Sequence, residues 1–100
     1  MLEMKNKYEN ENFWYEGGHG ISIKDALIIR GTKNPVLGVF AEKHFISSRF
    51  GQEGSDWFFD SQELFLVESE AFDLITFWLS DGSLEQVYFN VSEFYGKGIE

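Results

Sequence analysis

The residues of this chain with the most chemical potential are its carboxylates, and their placement is one-sided. From Phe50 to Gly96 there are ten of them: Glu53, Asp56, Asp60, Glu63, Glu68, Glu70, Asp73, Asp81, Glu85 and Glu93. The same stretch contains no Lys, Arg or His, whereas residues 1–49 balance six acids against seven Lys and Arg. The whole chain carries a net charge of −9. A surface of this kind repels nucleic acid and anionic membranes and attracts basic proteins. Nucleic-acid binding in particular depends on Lys and Arg contacts to phosphate, which this region lacks.

The other reactive side chains form no recognisable constellation. His19 and His44 are the only histidines. Glu42 and His44 stand two apart on a predicted helix and so diverge. There is no G-x-S-x-G, no H-E-x-x-H and no Ca²⁺-loop spacing, and the absence of cysteine excludes thiolate ligands and thiol nucleophiles. The glycine cluster Gly17-Gly18-His19-Gly20 lacks the lysine and spacing of a phosphate loop and reads as a turn. These patterns point to a protein that is not an enzyme and has no cofactor and no metal site.

Elements that would position the acids follow from periodicity. Phe13-Trp14-Tyr15 is an aromatic cluster suited to an edge strand or a lid. Ser22 to Asp25 fits a capped single turn, and Ala26 to Ile29 is a short strand closed by Gly31. Residues 36–50 read as the principal helix. Val36, Val39, Phe40, Ile46 and Phe50 form its apolar stripe, which Leu37, Ala41 and Phe45 widen. Glu42 and Arg49 face water, Gly38 weakens the first turn and delays the expected start of the helix to that point, and Gly51 ends it. Trp57-Phe58-Phe59 and Glu63 to Glu68 are two separate strand-like runs, with Glu53, Asp56 and Asp60 on the loop after the helix. Phe72 to Leu79 is a strand apolar on both faces. Asp81-Gly82 is a hairpin turn, and Glu85 to Val91 returns with Val87, Phe89 and Val91 inward.

The fold class is therefore α+β: one principal helix packed on an antiparallel sheet dominated by a C-terminal meander. One hundred residues with 43% hydrophobic and 18% aromatic content make a single domain with a core, residues 1–12 being polar and loosely held. No apolar run approaches the roughly 18 residues of a membrane helix, and the polar N-terminus has no secretory pattern, so the expectation is a cytoplasmic protein without membrane contact.

A resemblance adds to these inferences. The residues that carry it are Gly20-Ile21-Ser22, Ala26-Leu27-Ile28-Ile29, Asn34, Gly38-Val39-x-Ala41-Glu42-x-x-x-Ile46 and Gly51-x-x-Gly54-x-Asp56-Trp57. It continues through Phe72-Asp73-Leu74-Ile75, Asp81-Gly82 and Tyr88-Phe89-Asn90-Val91-Ser92-x-Phe94-Tyr95-Gly96-Lys97. This pattern, over residues 20–97, resembles small bacterial immunity proteins encoded beside polymorphic toxins, including those of contact-dependent growth inhibition. His44, Phe45 and Asn90 depart from it. The resemblance implies a protein that binds and neutralises a cognate toxin, and the acidic surface points to a basic nuclease domain as the partner.

The candidate partner-binding residues are Glu53, Asp60, Glu63, Glu68, Glu70, Asp73, Glu85 and Tyr88. Glu63, Glu68, Glu70, Asp73 and Glu85 are expected to share one sheet end or face. Tyr88 alternates with the inward set and makes a better anchor than Trp78, which reads as core; Asp56 and Asp81 belong to local turns. Two alternatives stand beside this one: a nucleic-acid mimic that inhibits a DNA-binding protein, and a structural or homo-oligomeric subunit using an open sheet edge.

Overall fold

A computed structural model describes residues 13–95, so the expectation for residues 1–12 lies outside the described part. Five strands and one helix follow in the order β1 (Trp14–Gly17), β2 (Leu27–Arg30), α1 (Pro35–Phe50), β3 (Trp57–Val67), β4 (Glu70–Leu79) and β5 (Leu84–Asn90). The strands form one sheet in the order β1-β2-β5-β4-β3. Strands β3, β4 and β5 are the expected antiparallel meander. β2, however, joins β5 in parallel, so the sheet is mixed rather than wholly antiparallel. The parallel pair is a consequence of α1, whose length carries the chain from the middle of the sheet to its far edge.

Helix α1 starts at Pro35, where the fixed φ suits a first helical position. The Asn34 side chain accepts from Val36 N at 2.8 Å and caps the end. The helix therefore does not wait for Gly38, which serves another purpose: a Cβ there would overlap the Phe94 ring. Gly51, with φ 111°, ends the helix and donates to Ser47 O. The buried stripe is Leu37, Gly38, Ala41, Glu42 and Ile46, whereas Val36 and Val39 are exposed. Small residues at the contact let the helix approach a sheet face that already carries large rings, and this shape requirement outweighs hydrophobicity. Glu42, expected to face water, is fully buried as a result.

The covered face of the sheet supplies the core. Leu27, Ile29, Trp57, Ile75, Phe77, Val87 and Phe89 pack there against Ala41 and Ile46. Edge-to-face ring pairs join Phe50 and Trp57 to Phe77, at 5.1 and 5.3 Å between centroids. Trp57 has no exposed surface, and its indole N–H donates to Gly51 O at 2.9 Å, so its one polar atom is satisfied. The two strand-like runs predicted between residues 57 and 68 are one eleven-residue strand with an irregularity between Phe59 and Ser61. Asp60 is thus the extra residue of a β-bulge, not part of the loop after the helix.

Candidate functional site

Because side chains alternate along a strand, the sheet register sorts the acids and aromatics onto two faces. The face away from α1 carries four cross-strand rows: Phe58, Trp78 and Leu84; Ser61, Thr76 and Gln86; Glu63, Leu74 and Tyr88; and Phe65, Phe72 and Asn90. Phe58, Trp78 and Leu84 are 43%, 42% and 49% exposed, so the first row is an apolar ridge open to solvent. Asp60 lies beside it, its Oδ1 accepting from Trp78 Nε1 at 3.0 Å. That bond fixes the indole and leaves the second carboxylate oxygen available. Glu63 is exposed two rows further along, past Ser61, Thr76 and Gln86. Glu70 begins β4 at the far end of this face and accepts from Asn90 Nδ2 at 3.3 Å.

The predicted site residues therefore divide. Asp60, Glu63, Glu70 and the half-buried Tyr88 come together on the open face, and Glu68 stands at its end in the β3–β4 turn. Asp73 and Glu85 do not join them. They pair across strands with Phe89 and Phe77, residues of the covered face. Glu85 is partly exposed at the margin of that face. Asp73 is only 6% exposed and accepts from Gln62 Nε2 at 2.9 Å, so it cannot meet a partner. The expectation that these five acids share a face fails because Asp73 and Glu85 lie at odd offsets from Glu63 and Glu70 in the ladder. Glu53, in the loop after α1, sits 3.3 Å from Lys43 Nζ and is partly neutralised there.

Sequence reasoning placed Trp78 in the core, and the structure corrects this. Trp78 follows the fully buried Phe77, so it must point the other way. It also lies near the strand end, beyond the part of the open face that neighbouring side chains cover. Alternation and closeness to the Asp81-Gly82 turn carried this signal. Phe58 passed unnoticed for a similar reason, since Trp57-Phe58-Phe59 looked like a uniform apolar run.

Charge differs along the open face as well. At the β1–β2 end, Arg30 lies 3.2 Å from Glu16 and 3.6 Å from Glu93, so the local charges compensate one another. Glu16 also accepts from the Trp14 indole at 2.8 Å, and this bond, with that of Arg30, lowers its pKa. Strands β3, β4 and β5 carry no cation at all. The aromatic ridge is thus flanked by acids that have no basic neighbour on their own strands.

The covered face holds a different carboxyl pair. Burial first, and the nearby Asp73 carboxyl second, together raise the pKa of Glu42 to about 10. Neither Glu42 oxygen has a hydrogen-bond partner at ordinary geometry, so loss of water is the main cause. Glu42 is therefore held protonated at neutral pH. Burial likewise raises the pKa of Tyr15, whose hydroxyl donates to Ala41 O at 2.7 Å. Asp81 accepts from the Ser83 hydroxyl and backbone N–H, which lowers its pKa and ties it to the turn.

Among the described residues, no group of His, Cys, Asp and Glu is arranged to hold a metal ion, and no helix is long and apolar enough to cross a membrane. Comparisons with protein-family models, curated proteins and solved structures return no match.

Proposed function

We propose that this chain is an immunity protein that docks the open face of its sheet on a basic toxin domain and neutralises it. The observation that carries this reading is the ridge Phe58–Trp78–Leu84 with Asp60 beside it and Glu63 two rows along the same face, on strands free of Lys and Arg. Binding energy at protein interfaces concentrates in a few aromatic anchors ringed by polar groups, and this face has that composition. The carboxylates supply steering: they speed encounter with a cationic surface and disfavour anionic competitors. A toxin acting on RNA or DNA presents such a cationic surface, because its cleft must bind phosphate. The resemblance to immunity proteins supports the same conclusion.

Co-expression tests it. The C-terminal domain encoded by the gene immediately upstream is expressed with and without this chain, and growth is measured. Wild type is expected to restore growth. The triple variant Asp60→Lys/Glu63→Lys/Trp78→Ala is expected to lose protection while keeping its circular dichroism spectrum. Continued growth arrest with wild type present at excess would sink the function. Full protection by the triple variant would sink the choice of face.

A further inference from the structure

The two edges of the sheet are unlike. β1 is four residues long, and the Arg30–Glu16 ion pair flanks it. β3 is eleven residues long and contains no Lys and no Pro, the residues with which natural edges commonly discourage pairing. Its only interruption is the bulge at Asp60, which leaves Ser61–Val67 regular. Among the described residues, nothing pairs with the outward side of this run. Leu64 and Leu66, on the α1 side of the strand, are 42% and 66% exposed because the helix does not reach them.

The turn determines which backbone groups face outward. Glu68 and Ser69 both have positive φ, at 49° and 73°, and form a two-residue hairpin between Val67 and Glu70. Val67 and Glu70 then close the ladder as a hydrogen-bonded pair, and Phe65, Glu63 and Ser61 direct their N–H and C=O groups to β4. Gln62, Leu64 and Leu66 direct theirs away from the sheet. This outward set is symmetric about Leu64.

We propose that β3 pairs antiparallel with β3 of a second copy, about a two-fold axis through Leu64, merging two five-stranded sheets into one. Leu64 then faces Leu64 of the second copy, Gln62 faces Leu66, Glu63 faces Phe65 and Ser61 faces Val67. The three outward pairs form about six backbone hydrogen bonds. Leu64 and Leu66 of the two copies make an apolar cluster on the α1 side, and the contact is self-complementary as a two-fold interface requires. No carboxylate meets its own copy in this register. An axis at Glu63 would oppose two glutamates, and one at Gln62 would draw the Asp60 bulge into the ladder. Since each chain carries −9, repulsion opposes the association, and salt strengthens it by screening. The proposed toxin complex responds in the opposite sense, so the two contacts are separable.

Sedimentation equilibrium of the full chain, from low micromolar to millimolar concentration and at low and high salt, tests the pairing. The mass is expected to rise from 11.6 kDa toward twice that value, earlier at high salt. Leu64→Lys is expected to remain monomeric, whereas Ile21→Lys, a change at an exposed site off the strands, is expected to dimerise like wild type. Amide exchange at Gln62, Leu64 and Leu66 is expected to slow at least about tenfold with dimerisation. If Leu64→Lys does not fold, this exchange pattern in wild type decides. A monomer throughout the range would overturn the proposal. So would a dimer that survives Leu64→Lys, or one in which these three amides gain no protection.

Discussion

The two faces of the sheet use the same residue types for opposite ends. Trp57 and Phe58 are neighbours in sequence, as are Phe77 and Trp78. One of each pair is fully buried under α1, and the other is more than 40% exposed. Carboxylates divide in the same way. Glu42 and Asp73 are buried together at the helix–sheet contact, while Asp60, beside the aromatic ridge, and Glu63, two rows along, stand in solvent on the opposite face. The difference teaches that alternation separates a buried face from an exposed one at a spacing of one residue. A stretch that reads as uniformly apolar or uniformly acidic is two surfaces interleaved.

Matched substitutions give the largest contrast. Trp57→Ala removes a fully buried indole and is expected to lower unfolding free energy by about 4 kcal/mol. Trp78→Ala is expected to cost less than about 1 kcal/mol, since its ring is half in solvent and its bond to Asp60 is exposed. Chemical denaturation of both variants checks the pair. Equal losses would mean that the open face belongs to the core.

The buried acid predicts a dependence on pH. The pKa of Glu42 is raised in the folded state, so between about 4.5 and about 10 the folded chain holds a proton that the unfolded chain releases. Stability therefore falls as pH rises through this window, at up to about 1.4 kcal/mol per pH unit from this one group. Glu42→Gln is expected to flatten the slope and to be more stable than wild type at pH 8. Thermal or denaturant midpoints from pH 5 to 9 measure it. An unchanged slope would mean that Glu42 ionises within the fold.

A smaller effect belongs to the β3–β4 turn. Glu68 and Ser69 occupy left-handed backbone that Asn and Gly adopt more readily. Glu68→Asn/Ser69→Gly is expected to stabilise by about 1 kcal/mol. A stability loss in the denaturation midpoint would contradict the turn geometry.

Much of the fold was legible in the chain. Period-two alternation in Phe72 to Leu79 and Glu85 to Val91 assigned both faces of the meander, and Asn34-Pro35 and Gly51 bracketed the helix. The helix orientation was legible only in part. Leu37, Ala41 and Ile46 are buried as their hydropathy suggests, but Gly38 and Glu42 are buried too while Val36 and Val39 are exposed. The small size that seats Gly38 against Phe94 is a property that hydropathy does not measure. The continuity of β3 was not legible, since the bulge at Asp60 breaks its alternation midway. The candidate site was legible only as a composition. Which acids share a face depends on register, and only the ladder separates Asp73 and Glu85 from Glu63 and Glu70.

The central claim is that recognition belongs to the open face, and a single pair of charge reversals tests it most directly. The dissociation constant for the basic toxin domain proposed as partner is measured by calorimetry with wild type, Glu63→Lys and Glu85→Lys. Glu63→Lys on the open face is expected to weaken binding at least about tenfold, and Glu85→Lys at the margin of the covered face to change it by less than about threefold. Equal effects, or a larger effect at Glu85, would contradict the account.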